Sequence, residues 1–155
     1  DYYDGKAYVY SGKTGNWSSQ TFNENASPEL AQSMGNFGFI DNYDSKAYVF
    51  NSKTGTWSSQ AFNENASPEM VAANGCFGFI DHYDGKAYAF NPTTGSWKVQ
   101  TFNENASPEI NVSNGSMAFI DNYDSKAYVF FAGSGNWIAQ PFDQNASPIM
   151  VVSPN

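Results

Sequence analysis

Basic residues, cysteine, histidine and long apolar runs are all scarce in this chain, and each scarcity removes a class of function. Lys plus Arg number 7 against 15 Asp plus Glu, a formal net charge of −8. Phosphate is held by clustered basic side chains, so nucleic acid is not expected as a partner, and an anionic membrane surface is disfavoured for the same reason. No stretch approaches the run of about 18 apolar residues that a membrane helix needs. No charged and apolar leader opens the sequence, so a soluble protein is expected, and a start at Asp1 without Met suits a processed or trimmed chain. Cys76 is the only cysteine; an intrachain disulfide and a thiolate cluster are excluded, and it reads as a small buried filler. His82 is the only histidine. Ser-His-Asp and Cys-His catalysis and a His-rich metal site therefore have no basis. Neither phosphate-binding glycine fingerprint occurs. Helical periodicity is missing too, since Gly, Pro and Asn punctuate the chain every ten residues or so and no segment repeats apolar residues at i, i+3, i+4 and i+7.

What the chain has is a repeat of 40 residues without slippage. Trp17, Trp57, Trp97 and Trp137 are in register, as are Pro28, Pro68, Pro108 and Pro148, and residues 4–43 and 44–83 agree at 27 of 40 positions. The units 4–43, 44–83, 84–123 and 124–155 with 1–3 are copies of one supersecondary element within a single domain, and the 41% hydrophobic content with 17% aromatic suits a packed core.

Each unit carries four short strand candidates, which in the second copy and its continuation are Lys46–Asn51, Trp57–Phe62, Met70–Ala73 and Phe77–Asp81. Asp-Gly at Asp4-Gly5 and Asp84-Gly85 predicts a two-residue hairpin; Ser45 and Ser125 replace Gly in the other copies, where the turn is strained or of another type. Thr-Gly-x-Trp, as at Thr54–Trp57, predicts a second hairpin with Gly left-handed beside a bulge. Ala47 and Val49 point to one face of their strand while Tyr48 and Phe50 point to the other, so both faces must be covered. The polar Trp57–Phe62 belongs at a periphery and the small residues of Met70–Ala73 at a crowded axis. Four-stranded antiparallel units of this kind predict an all-β, propeller-like array of short blades.

The segment from Tyr48 to Trp57, Tyr-Val-Phe-Asn-Ser-Lys-Thr-Gly-Thr-Trp, resembles the outer hairpin of kelch-type propeller repeats over roughly a quarter of each unit, and implies a β-propeller repeat protein. Closure as a ring of four blades, or pairing of two chains into a ring of eight, both fit. Four whole units would need five more residues than the 155 present: Asp1 aligns with Asp41 and Asn155 with Gly35, so the segment matching Asn36–Ile40 is absent. A blade formed from Ile149–Ser153 and Asp1–Phe22 would lack most of one strand. Either a ragged closing blade results, or Asp1–Tyr10 and Ile149–Asn155 meet another chain, giving a homo-oligomer through the terminal blade.

Paired carboxylates recur as Asp1/Asp4, Asp41/Asp44, Asp81/Asp84 and Asp121/Asp124. Turn formation is favoured over a Ca²⁺ site because the ligand pattern is incomplete and a Lys follows, so no metal and no cofactor are expected. Carboxylate pairs also serve glycoside hydrolysis, but four near-identical pairs are unlike a single asymmetric active site, and no enzyme activity is expected. The loop Asn-Glu-Asn-Ala-Ser-Pro-Glu at Asn23–Glu29, Asn63–Glu69 and Asn103–Glu109 is the longest block shared by the copies. Its amides suit bidentate bonds to sugar hydroxyls, with an aromatic ring on the sugar face; the plainer reading is that Asn and Ser satisfy turn backbone. The candidate ligand-binding residues are Asn25, Asn65, Asn105 and Asn145 with Trp17, Trp57, Trp97 and Trp137.

Low charge with abundant Asn, Ser, Gly, Thr and aromatics is a composition of extracellular proteins. Sequons occur at Asn16, Asn111, Asn114 and in each Asn-Ala-Ser, where the following Pro disfavours modification. The expected function is an extracellular, multivalent, lectin-like module that binds glycans. The alternatives are a self-associating structural or adhesive protein and an engineered repeat scaffold.

Overall fold

β-Branched and aromatic residues alternating with small ones, bounded by Gly and Asn, produce strands alone. The structure, a computed structural model, describes residues 1–150; the part of the expected terminal blade from Val151 to Ser153 lies outside the described residues. Blade 1 has two strands, β1 (Lys6–Ser11) and β2 (Asn16–Thr21). Blade 2 comprises β3 (Leu30–Ser33), β4 (Asn36–Asp41), β5 (Lys46–Asn51) and β6 (Thr56–Ala61). Blade 3 comprises β7 (Val71–Ala73), β8 (Cys76–Asp81), β9 (Lys86–Asn91) and β10 (Ser96–Thr101). Blade 4 comprises β11 (Asn111–Ser113), β12 (Ser116–Asp121), β13 (Lys126–Phe131) and β14 (Asn136–Pro141). Each four-stranded sheet runs antiparallel in chain order, and β3 and β11 both neighbour β7 at the inner edge. The small residues do line the inside, and the polar Trp-led strands are outermost.

Three turns connect the strands of a blade. The inner one is a two-residue hairpin with both residues at positive φ, as at Asn74 (45°) and Gly75 (82°), and Ala73 pairs with Cys76 across it. That geometry matches the right-handed twist of the flanking strands. The Asp-Gly element is not the two-residue hairpin its sequence predicts. Asp41 pairs with Lys46 across a four-residue connection, and only its last residue is left-handed. The cause is Asp41 itself: its Oδ1 accepts the N–H groups of Tyr43 and Asp44, each at 3.0 Å, and sets a longer turn. The outer turn has Gly55 at φ 73° with its N–H on Asn51 O at 2.8 Å, as the sequence predicts for its Gly. Asn51 pairs with Thr56 in unbroken register, so no bulge follows.

Ser45 and Ser125 adopt φ 55° where Gly5 and Gly85 stand in the equivalent turns, so the turn type is shared and the serines are strained. Left-handed backbone costs a non-glycine residue roughly 1–2 kcal/mol. Ser45→Gly is expected to raise the unfolding free energy by about 1 kcal/mol in urea titration; an unchanged midpoint would show the strain to be relieved elsewhere.

The core lies between blades. One face of each blade, for example Ile40, Ala47, Phe62 and Ala66 of blade 2, packs on Phe79 and Tyr88 of blade 3, with Trp97 and Met70 at the margin. Ile80, Ala87, Phe102 and Ala106 repeat the arrangement against Phe119 and Tyr128. Blades 3 and 4 approach closely enough that a Cβ on Gly78 would overlap the Met117 side chain. Burial also pushes the Cys76 thiol up to about 12. At pH 8 only about one thiol in ten thousand is then ionised, so a thiol-directed reagent is expected to label Cys76 after denaturation and not before. Rapid labelling of the folded protein would contradict its burial at the junction of blades 3 and 4.

Candidate functional site

Each blade junction is tied by polar groups on the side of the array that carries the Asp41–Lys46 type of turn. The fully buried Asp41 uses Oδ1 for its own turn and accepts on Oδ2, at 2.8 Å, the N–H of Asn23, which follows the last strand of the preceding blade. Asn23 Nδ2 donates to Asp44 Oδ1 at 2.8 Å. The set recurs at Asn63 with Asp81 and Asp84, and at Asn103 with Asp121 and Asp124. The acidic pairs are therefore junction clamps, and no group of three metal-binding side chains occurs among the described residues. Asp84 lies below the usual carboxylate range because it accepts hydrogen bonds from Lys86 and Asn63.

Asn25 stands in the same loop. Its N–H and one Nδ2–H both go to Asn23 Oδ1, at 2.9 and 3.1 Å, which leaves Oδ1 and a second Nδ2–H without a partner among the described residues. Asn65 and Asn105 repeat this arrangement on Asn63 and Asn103. Beside Asn25 opens a cleft of about 600 Å³ between successive loops, lined by Asn25, Ser27, Glu29, Tyr43, Ser67 and Glu69 over an apolar floor that includes Leu30, Ile40 and Met70. A second cleft of about 270 Å³ brings Asn65 and Ser67 to His82 and Tyr83. Asn145 belongs to the last loop, where its N–H donates to Asp143 Oδ1 at 2.8 Å and no following blade is present among the described residues.

The tryptophans are not brought to these loops. Trp57 opposes Phe50 at the start of β6, and Asn65 follows the other end of that strand, roughly 17 Å away along six extended residues. Trp57 packs on Phe37, Phe39 and Phe50, and Trp97 on Phe79 and Phe90. Trp137 packs on Phe119 and Phe130, and its Nε1 donates to Lys98 O of the preceding blade at 3.5 Å. These ring partners lie in each tryptophan's own blade; the wedge between blades is made where Trp57 and Trp97 border the clusters shared with the preceding blade and where Trp137 reaches Lys98 O. Trp17 is 70% exposed and meets Tyr10 at 5.3 Å.

The aromatic residues at the clefts are tyrosines. Tyr43 and Tyr83 are 65% and 59% exposed, and Tyr123 in the next turn is 64% exposed. The site as read from the sequence allows an aromatic ring on the sugar face but names the tryptophans for it, although a large aromatic held in a polar loop in every copy is the signal for Tyr43, Tyr83 and Tyr123.

No family profile matches the chain, and no curated protein does. Solved structures do. A streptogramin B lyase superposes with TM-score 0.50 at 16% identity over 92% of this chain and 49% of that one. The structure of U3-55K gives TM-score 0.50 at 14% identity, over 90% of this chain and 44% of its own. The WD40 repeats of RRP9 give TM-score 0.49 at 14% identity, over 90% of this chain and 44% of theirs. The chain spans about half the length of these proteins or less, and at such identity the likeness concerns fold alone. Repeated four-stranded antiparallel sheets, one per 40 residues, together with the two neighbours at TM-score 0.50 make the chain a β-propeller repeat protein.

Proposed function

We propose that this protein is a non-catalytic, multivalent carbohydrate-binding module of the extracellular kind, with its binding positions in the clefts between consecutive loops. The observation that carries this reading is the pairing, at successive junctions, of an exposed tyrosine with an asparagine whose amide keeps an acceptor and a donor unused. A pyranose offers adjacent hydroxyls to the amide and an apolar C–H face to the phenol ring. The larger cleft matches the volume of small-molecule sites, which run from about 300 to 1,000 Å³. Glu29 and Glu69 line it, so neutral or amino sugars are favoured over sialylated or uronic ones.

A glycan array probed with protein shown to be folded by circular dichroism tests the reading. Neutral or amino glycans should be retained. Tyr43→Ala and Tyr83→Ala should each lower retention on a dense surface by about tenfold or more, while the untouched sites keep their affinity for free sugar. Absence of any signal above background, or retention indifferent to both tyrosines, would overturn it.

A further inference from the structure

The internal junctions show what covers each face of a blade, and the two ends of the array leave uncovered the outward face of blade 4 and the face of β1 and β2 in blade 1. On blade 1, Tyr8 is 45% exposed, whereas its counterparts Tyr48 and Tyr88 are 6% and 4% exposed under the preceding blade. Tyr10 and Trp17 are exposed beside it, where Phe50 and Phe90 are fully buried and Trp57 and Trp97 are half-buried. On blade 4, Ile120, Ala127, Val129 and Phe142 are only half-buried and Ala146 is exposed, although Ile40, Ala47, Val49, Phe62 and Ala66 are all buried beneath the next blade. We propose that these end faces dock on each other between copies of this chain, blade 4 of one against blade 1 of the next, reproducing head to tail the outer part of the internal junction that β1 and β2 can supply. Such a heterologous contact closes into a ring or continues as a filament.

Two substitutions make this junction weaker than the internal ones. Elsewhere Asn23, Asn63 or Asn103 donates its side-chain amide to the second Asp of the next turn. At the end face Asp143, which has no such N–H, takes the place of the donor and would meet Asp4 as a like charge. Asn51 and Asn91 likewise donate across the junction, to Pro92 O at 2.8 Å and Ala132 O at 3.2 Å, and Phe131 replaces them in blade 4. Blade 1 keeps its acceptors in Asp1 and Asp4. The junction thus keeps the apolar surface of Tyr8, Tyr10 and Trp17 but lacks two hydrogen bonds and the phenylalanine that Phe79 supplies from a strand with no counterpart in the two-stranded blade 1, so association is expected to be weak and to strengthen as added salt screens the carboxylates.

Sedimentation of the whole chain over a wide concentration range decides the matter. The wild type should associate reversibly. Asp143→Asn restores the missing donor and should tighten association about tenfold or more, since a hydrogen bond to a charged group is at stake. Trp17→Ala, at a position whose exposure spares folding, should weaken it by a similar factor. A wild-type chain that stays monomeric at every concentration overturns the proposal, and so does association that ignores both substitutions.

Discussion

Phe79→Ala is expected to lower the unfolding free energy by about 4 kcal/mol, within the range measured for truncating buried aromatics. Phe79 is fully buried and lies 5.5 Å from Phe62 of the preceding blade, 4.7 Å from Tyr88 and 5.6 Å from Trp97. Its removal would leave a cavity between two sheets that cannot move together without disturbing the Asn63 and Asp81 clamp. A domain of this size has roughly 5–15 kcal/mol in total, so much of it would be lost. The half-exposed Tyr8 occupies the face that Tyr88 occupies in blade 3, and Tyr8→Ala should cost under about 1 kcal/mol. Urea titration of both variants measures the difference. Equal losses would mean that the blade interfaces do not carry the core.

Asp81→Ala should be as damaging, by about 4 kcal/mol, for an electrostatic reason. The carboxylate is fully buried and accepts three N–H groups, from Tyr83 and Asp84 at 3.0 Å and from Asn63 at 2.8 Å. Alanine would strand all three donors. Asp81→Asn keeps an acceptor for the turn but presents an amide to the Asn63 N–H, and its cost should fall between those of alanine and the wild type. The exposed Asp1 side chain accepts only the turn N–H groups, of Tyr3 and Asp4 at 3.1 and 3.3 Å, and Asp1→Ala should cost under about 1 kcal/mol. Urea titration of these variants checks the order. A near-neutral Asp81→Ala would show that the repeated acid is not the pin of its turn.

Much of the fold was legible because local chemistry and global packing agree. Alternation in Lys46–Asn51 separates Ala47 and Val49 from Tyr48 and Phe50, and those sets do face opposite neighbours. Turn length was not legible at Asp4-Gly5: the dipeptide permits a two-residue hairpin, but Asp1 hydrogen-bonds the following backbone and lengthens the turn. Conversely, Asn74-Gly75 and Asn114-Gly115 are strong two-residue signals that went unread beside the more numerous Asp-Gly and Thr-Gly elements. The site was half legible. The Asn25-type loop lines a cleft, yet the partner ring could not be chosen from composition, because Trp57 and Tyr43 are equally regular in the repeat. Only the strand that carries Trp57 away from the loop separates the wedge from the platform.

The central claim is that equivalent clefts hold equivalent ligands, and a crystal of the chain soaked with the neutral or amino glycan retained most strongly on the array tests it most directly. Sugar should appear against Tyr43 with a hydrogen bond to the Asn25 amide, and again against Tyr83 beside Asn65. Sugar found only at the exposed Trp17 edge, or on no repeated position at all, would contradict the account.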